Sequence, residues 1–423
     1  MQVELRGSLQ GTPQGDRLKE GLSKCVHCGF CNATCPTYRL TGHELEGPRG
    51  RIDLIKQMAE GQKVGPKTRL YLDHCLHCLS CETTCPSGVS YGHLIDEGRV
   101  LAEEIQPQRP LFERFVRRGL VFLLTQKLLL RFGMPFIRHV KRLLPQHLRA
   151  MIQPLRPVFS IPEVQDSRGH LLYLGGCIEP SLQPAIESAL CRVLGALAYT
   201  PHRAEGEQCC GALAFHLGHQ AEALSAMRRN IDAWWPYVEG TVSVLQGRGV
   251  EAILASSSGC GAMIQNYADY LHEDPVYAEK AKRISALFRD PVEWLWGEVE
   301  LLKASIKGVS SITLHEPCSL QHGLQLKGKL ELLLAALGCD VRKDAAPELC
   351  CGAGGAYSLL YPEISAPLRA QKRRDLGVGH KDEPTVVVSS NIGCLQYLSS
   401  SEQPVLHWLE WLAICLDEAG REL

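Results

Sequence analysis

The pattern of apolar and polar residues differs between the early and the later part of the chain. Four short apolar runs fall in its later part, and each ends at a cysteine: HLLYLGGC, VEAILASSSGC, SSITLHEPC and PTVVVSSNIGC. Runs of this length, separated by helical stretches, are typical of buried strands in a parallel sheet. They predict α/β domains in which the cysteines gather on loops near the ends of the strands.

The early part of the chain has a helical pattern instead. Ile52, Leu54, Ile55 and Met58 follow the turn at Gly47–Pro48 with the spacing of one helix face. Arg49 and Arg51 stand at the start of this helix, where they face either an anionic group or solvent. The N-terminus is polar and predicts no export signal. No run of about 18 apolar residues predicts a membrane-spanning helix.

A basic amphipathic stretch lies between these two parts. Residues 107–160 contain eleven Lys or Arg and a single acid, Glu113, with apolar clusters between the charges. This pattern is typical of a helix that binds a membrane surface. A helical linker packed on the rest of the protein or on a partner explains it equally well.

Length, net charge and cysteine content indicate which class of protein this is. The 423 residues suffice for two or three domains, and a net charge of −1 argues against a nucleic-acid partner. The chain has 19 cysteines, far more than an ordinary globular protein needs. With no export signal, we expect a cytoplasmic protein that uses cysteines for metal or redox chemistry.

Eight of the cysteines form a tandem motif. CVHCGFCNATCP is repeated fifty residues later as CLHCLSCETTCP. This spacing is that of bacterial ferredoxins, where three close thiolates bind one 4Fe–4S cluster and the fourth, before proline, binds the other. The motif therefore predicts two clusters, one held by Cys25, Cys28, Cys31 and Cys85 and the other by Cys75, Cys78, Cys81 and Cys35.

Zinc is the alternative for paired CxxC spacings. The third close cysteine, the Cys-Pro ending and the duplication all favour iron–sulfur clusters. His27 and His77 lie inside the motifs, but four thiolates per cluster leave them no position as ligands.

A second repeat is spread over the later part of the chain. Cys177, the pair Cys209–Cys210 and Cys260 recur as Cys318, Cys350–Cys351 and Cys394, with offsets of 141, 141 and 134 residues. A glycine follows each cysteine pair, so the repeat predicts two copies of one domain. These eight cysteines are candidates for an additional cluster or a redox site. Three further cysteines have no repeat partner and are expected to be buried thiols: Cys191, Cys339 and Cys415.

No nucleotide-binding or hydrolase motif accompanies the cysteines. A chain that holds clusters without a site for a hydride acceptor is expected to relay electrons for a partner.

With both cysteine sets, the chain resembles the iron–sulfur subunits of bacterial glycolate oxidase nearly from end to end. The resemblance is carried by the first tandem motif with its GPRGR continuation and by CETTCPSGVSYG, RRNIDAWWP, SSGCGA, CCGAGGAY, SNIGC and HWLEWL. The CCG domains also look like those of heterodisulfide reductase, of the third subunit of anaerobic glycerol-3-phosphate dehydrogenase and of lactate-utilisation proteins. Asn230–Pro236 and the order of domains favour the glycolate oxidase family.

The resemblance implies a complex with two flavoprotein-type subunits. The flavin lies on those partners only, where glycolate is oxidised to glyoxylate and D-lactate is a second substrate. This chain would pass the electrons on to a membrane quinone or another acceptor, without a catalytic residue of its own. The implied location is cytoplasmic and peripheral on the inner membrane.

One departure from the heterodisulfide reductase pattern bears on the CCG sites. Units that hold a noncubane cluster end in CxxC, whereas Ser257 and Asn391 replace the first of those thiols here. An ordinary cluster or none therefore stays open at each site. Three alternative functions stay open: a thiol-disulfide enzyme of the heterodisulfide reductase type, an iron–sulfur subunit of another 2-hydroxy-acid or glycerol-3-phosphate dehydrogenase, and an assembly platform.

The predicted architecture is multi-domain α+β. A polar tail (1–20) precedes a helical ferredoxin-like domain (21–104) and the basic linker (105–166). Two repeated α/β CCG domains follow at 167–300 and 301–423.

Overall fold

The computed structural model describes residues 2–62, 65–105, 109–143, 149, 151–306, 311–378, 386–400 and 403–421. The chain divides into two compact units. The first unit comprises residues 1–119 and 346–372, and the second comprises residues 120–345 and 373–423. The second CCG copy therefore contributes to both units, since its cysteine pair belongs to the first.

The first unit is helical over its described residues. Its buried core joins apolar side chains from several short helices, with Leu18, Ile55, Met58 and Ile95 fully or almost fully buried. The helices are Pro13–Ser23, Phe30–Thr34, Pro36–Thr41, Pro48–Ala59, Pro66–Asp73, Ser80–Thr83, Tyr91–Ile105 and Tyr357–Leu360, with a 3₁₀ turn at Glu44–Glu46.

The N-terminal residues differ from the polar tail predicted for them. Thr12 caps a helix over Pro13–Ser23 by accepting the Gly15 N–H, and proline takes its first position. Leu18 and Leu22, one helical turn apart, are completely buried. The prediction missed this helix because two leucines among polar residues are a weak signal without their partners.

The second unit contains two four-stranded parallel sheets. The strands are β1 (Gly169–Leu174), β2 (Tyr199–His202), β3 (Ala252–Ala255), β4 (Phe288–Arg289), β5 (Ile312–His315), β6 (Val341–Lys343), β7 (Val386–Ser389) and β8 (Val405–His407). Their orders are β2-β1-β3-β4 and β6-β5-β7-β8, so the two sheets repeat one topology. The predicted α/β repeat and fold class are confirmed.

Helices flank these sheets in the second unit. They are Lys127–Val140, Glu179–Leu182, Ala185–Ala196, Ala212–His216, Gln220–Val238, Ser258–Gln265, Tyr267–Tyr270, Ala278–Leu287, Pro291–Gly297, Val299–Ser305, Lys329–Ala336, Ile392–Leu398 and Trp408–Arg421. Short 3₁₀ turns lie at Lys141–Leu143 and Ser243–Leu245, and a π-helical turn at Ser319–Gly323. Leu111–Thr125 and Pro362–Asp375 cross the division between the units.

The two sheets are joined where β3 and β7 end. The Ser258 N–H donates to the carbonyl of Ser390, and the hydroxyls of Ser258 and Ser319 lie 2.7 Å apart. The His407 ring reaches the carbonyl of Ser256 at 3.1 Å. The last helix, Trp408–Arg421, packs on Ala185–Ala196 of the first copy. The repeats therefore share a continuous buried core.

The basic stretch is helical over Leu111–Thr125 and Lys127–Val140. Among the described residues, no single helix has the length and apolar character needed to cross a membrane. The pair Leu111–Thr125 and Leu129–Leu143, which is bent at its break, meets that test by length and composition only.

Candidate iron–sulfur centres

The two tandem cysteine loops have matching backbones. His27 and His77 have φ of 56° and 51°, and two residues later Gly29 and Leu79 have φ of 83° and 58°. These left-handed residues wind each loop tightly, although the conformation costs a side chain such as that of Leu79 about 1–2 kcal/mol. The winding turns the N–H groups of His27 and His77 onto the sulfurs of Cys25 and Cys75. Such hydrogen bonds stabilise negatively charged sulfur.

The first cavity is lined by the four cysteines expected to share one cluster. They are Cys25, Cys28, Cys31 and Cys85, with Cys81 at the boundary. Cys28 is exposed, and the neighbouring Val26 and Phe30 are 65% and 63% exposed. Burial and adjacent thiols raise the pKa of Cys31 to about 11, so a bound metal has to replace its proton. This centre lies at the protein surface.

The second cavity is lined by the other four cysteines. Cys35, Cys75, Cys78 and Cys81 are all buried there. Cys81 lines both cavities, so the two centres are adjacent. The structure thus gathers the eight cysteines around two neighbouring cavities, and four thiols for each suit the ligand demand of 4Fe–4S clusters. The pairing of each ligand with its cluster stays a prediction.

A buried arginine stands against the second cavity. Arg51 is 1% exposed and donates to the carbonyl of Tyr71 at 2.7 Å. One terminal nitrogen donates to Glu46 at 2.9 Å and to Thr37 at 3.1 Å. The other points at the sulfur of Cys35 from 3.9 Å. Each of the three guanidinium nitrogens therefore has a partner, and one of them is aimed at a predicted cluster ligand.

Further groups surround the same thiols. The Tyr91 hydroxyl donates to the sulfur of Cys75 at 3.8 Å. Burial opposes ionisation of Cys75, but Arg51 and Arg99 lower its pKa. His77 is bound by Asp96 at 3.2 Å, which accords with a role outside the ligand set.

The first unit also contains the cysteine pair of the second CCG copy. The Tyr357 hydroxyl donates to the carbonyl of His74 at 3.0 Å, and the Ser80 hydroxyl to the carbonyl of Glu348. Segment 346–372, which carries Cys350 and Cys351, is therefore tied directly to the second cluster loop. Cys318 and Cys394 of the same repeat belong to the second unit, where they flank β5 and β7.

The four cysteines of the first CCG copy converge in the second unit. The sulfur of Cys177 lies 3.4 Å from that of Cys209. Cys209 also contacts Cys210, which in turn contacts Cys260. Two loops and the start of helix Ser258–Gln265, all following parallel strands, thus bring together thiols 83 positions apart in sequence. Hydrogen bonds from the neighbouring thiols lower the pKa of Cys209.

Asn230 and Tyr267 hold the cysteine pair in place. The Asn230 amide donates to the carbonyl of Cys209 at 3.0 Å, and its oxygen accepts the Gln208 N–H at 2.6 Å. The Tyr267 hydroxyl donates to the carbonyl of Cys210 at 2.9 Å. Trp234 stacks on the Tyr267 ring. The Asn230–Pro236 motif therefore holds the backbone of the cysteine pair, directly through Asn230 and through the contact of Trp234 with Tyr267.

The positions of the missing CxxC thiols are helix N-caps. Asn391 caps Ile392–Leu398 by accepting the Gly393 N–H at 2.8 Å. Ser257 has the same position before Ser258–Gln265. Serine and asparagine suit an N-cap, so these replacements have a local structural reason. The unrepeated Cys191, Cys339 and Cys415 are buried in the core.

Sequence reasoning missed the partners that fix these centres. Glu46 was assigned no role, and Tyr91 and Asn230 were noted only as parts of segments that carry the resemblance. The position of Arg51 near two motif cysteines was visible, but its burial depends on contacts distant in sequence.

Two adjacent four-cysteine cavities in a helical domain, followed by two cysteine-rich α/β repeats, define an iron–sulfur protein of the electron-transfer class. A 4Fe-4S dicluster domain matches residues 21–89, and a cysteine-rich CCG domain matches residues 171–265 and 312–399. The chain is 40% identical over 420 residues to the glycolate oxidase iron–sulfur subunit of Escherichia coli (strain K12), covering 99% of this chain and all of that protein. The chain therefore belongs to the family of glycolate oxidase iron–sulfur subunits.

More distant relatives agree with this family. A probable glycolate oxidase iron–sulfur subunit of Bacillus subtilis (strain 168) is 26% identical over 414 residues, covering 90% of this chain and 89% of that protein. Lactate utilization protein A of Bacillus pumilus (strain SAFR-032) is 26% identical over 226 residues, covering 52% of this chain and 86% of that protein. The expected 4Fe–4S clusters and the predicted family are confirmed.

Proposed function

We propose that the chain is the electron-transfer subunit of a complex that oxidises glycolate to glyoxylate, with D-lactate as a second substrate. The full-length similarity to a glycolate oxidase iron–sulfur subunit supports the substrate. The adjacency of the two cavities through Cys81 carries the relay role, because electrons pass readily between neighbouring clusters. The chain itself contributes no substrate site to this proposal.

The proposed complex contains two flavoprotein-type partners. Glycolate gives two electrons and two protons to the partner flavin and leaves as glyoxylate. The tandem cysteines of this chain would hold 4Fe–4S clusters that take up these electrons one at a time, and the protons would return to solvent. The exposed first centre, with Val26 and Phe30 beside it, suits the exchange of electrons with another subunit.

The Cys28→Ala variant tests the relay. Cys28 is exposed, so its removal disturbs the first cluster with little effect on the core. We expect loss of glycolate-dependent reduction of a quinone, while a dye that takes electrons directly from flavin is still reduced. Cys191→Ala, in the core away from the clusters, is the control. Full quinone activity in Cys28→Ala would contradict the relay.

We propose in addition that the first CCG thiols form a third metal or redox centre. The 3.4 Å contact between Cys177 and Cys209 favours this, as does the support from Asn230 and Tyr267. Iron and sulfide analysis of the wild type and of Cys209→Ser tests it. A loss of metal would indicate a centre at this site. Unchanged metal with loss of disulfide reduction would indicate a thiol-disulfide enzyme, and loss of partner binding an assembly platform.

We also propose a cytoplasmic chain that binds the inner-membrane surface and delivers electrons to a membrane quinone. Exposed apolar residues on the basic helices support it. Phe132 and Phe136 on Lys127–Val140 are 74% and 67% exposed, and Arg131 beside them is exposed. Aromatic side chains next to a basic one are typical of a helix lying in the lipid interface.

A further inference from the structure

The two cluster cavities have arginines in different electrostatic settings. Arg51 at the second cavity is 1% exposed. Arg49 at the first cavity is 36% exposed and pairs with Glu44 at 2.6 Å. Solvent and salt screen the charge of Arg49, whereas the charge of Arg51 acts through a low-dielectric interior.

The buried ion pair at the second cavity is also oriented. One terminal nitrogen of Arg51 points at the Cys35 sulfur, and the other binds Glu46. The second oxygen of Glu46 is turned to His74, 2.7 Å away. The pair is therefore a dipole with its positive end towards the predicted cluster ligands. Arg99 adds positive charge near the same loop by donating to the carbonyl of Cys75.

The two cavities also differ in how deeply their thiols are buried. All four cysteines of the second cavity are buried, whereas the first cavity includes the exposed Cys28. Solvent stabilises added negative charge at the first centre. At the buried second centre, Arg51 and the polar groups around it have to supply that stabilisation.

We propose that Arg51 gives the second cluster a higher reduction potential than the first, so that the second cluster holds the electron at equilibrium. Reduction adds one negative charge to a cluster, and a fixed positive charge stabilises that state. When one electron moves between them, the first cluster is oxidised and the second reduced by that electron, and no proton moves. This proposal rests on the proposed function only for the direction in which electrons pass, from the first cluster to the second.

Redox titration followed by EPR on the anaerobically purified chain tests the proposal without glycolate or partner subunits. The variants are Arg51→Met, Arg51→Lys and Glu46→Gln, with Arg49→Gln as the surface control. Cys28→Ser identifies the titration step that belongs to the first cluster. Iron content shows whether each variant has both clusters.

The expected shifts have opposite signs. Arg51→Met should make the second-cluster potential more negative, and Glu46→Gln should make it more positive, because each removes one end of the dipole. Arg51→Lys should keep most of the wild-type value. The first-cluster potential should stay constant in these three variants.

A structural disturbance would move the potentials in the same direction in Arg51→Met and Glu46→Gln, and that result would overturn the proposal. So would an unchanged second-cluster potential in fully loaded Arg51→Met, or a wild-type second-cluster potential below that of the first cluster. If Arg51→Met fails to fold, Glu46→Gln decides alone, since a null or negative shift overturns the proposal. Failure of glycolate to reduce the intact complex would instead refute the proposed function and leave these potentials valid.

Discussion

Single residues with several buried partners hold the cysteine sites in shape. Asn230 is completely buried and joins Gln208, Cys209 and Tyr267 through three hydrogen bonds. The planar carboxamide of Asn230 supplies the donor and the acceptor for these bonds at fixed positions. Asn230 therefore helps to fix the backbone position of Cys209, and with it the approach of the Cys209 thiol to its neighbours.

We expect Asn230→Ala to destabilise the second unit by about 3 kcal/mol, at about 1 kcal/mol for each buried hydrogen bond lost. Thermal or denaturant unfolding measures this change. Asn266→Ala is the matched control, because Asn266 makes one bond, to the Ala262 carbonyl, in a half-buried position. Equal losses in the two variants would show that Asn230 has no special role.

His407 makes the second unit sensitive to acid. Its Nδ1 accepts the Leu409 N–H and its other ring nitrogen donates to the Ser256 carbonyl, so the buried ring is neutral. Burial lowers the pKa of His407 to about 3. The unfolded chain, with the ordinary pKa near 6.5, binds the proton more readily between these values. Stability is therefore complete above pH 6.5 and falls as the pH drops towards 3.

From pH 6.5 to pH 5 this effect amounts to about 2 kcal/mol, at about 1.4 kcal/mol per pH unit. Unfolding of the wild type and of His407→Gln at both pH values tests it. The variant should lose less stability than the wild type on acidification, whatever its stability at pH 6.5. Parallel pH profiles would exclude His407 as the source.

Among the secondary-structure elements, helix Lys127–Val140 is notable for its exposed large apolar side chains. Phe132, Phe136 and Leu129 are 74%, 67% and 45% exposed, whereas Met134 and Leu130 pack inward. One face of this helix packs on the protein, and the other exposes an aromatic surface of the kind that binds a partner or a membrane.

We expect the double variant Phe132→Ser and Phe136→Ser to lose flotation with anionic lipid vesicles and to keep its clusters. The reason is the loss of the apolar surface that enters the lipid interface. Val244→Ser, at an exposed apolar residue elsewhere, is the control. Vesicles of neutral lipid should bind the wild type less, because basic residues lie beside the phenylalanines. Unchanged flotation of the double variant would rule out this helix as the membrane contact.

The ferredoxin-type motifs were predictable because their short, repeated spacings are visible in the chain without any knowledge of its folding. The repeat of the cysteine pairs was visible for a similar reason, since two fixed offsets of 141 residues survive in the chain. The partners of Arg51 were not predictable, because Thr37, Glu46 and Tyr71 meet it only after the helices pack. The same holds for segment 346–372, whose place in the first unit no local pattern indicates.

At the scale of the whole molecule, the chain combines a surface cluster site, a buried cluster site and a second unit built from a repeated sheet. The family relationship connects the chain to glycolate oxidation. Electrons from glycolate are therefore expected to reach the clusters of this chain.

Freeze-quench EPR of the purified complex after anaerobic addition of glycolate measures this transfer. We expect signals of reduced 4Fe–4S clusters that develop after flavin reduction, and their loss in a complex carrying Cys28→Ala and Cys78→Ala. A complex whose flavin is reduced by glycolate while both clusters stay oxidised would show that this chain does not receive the electrons.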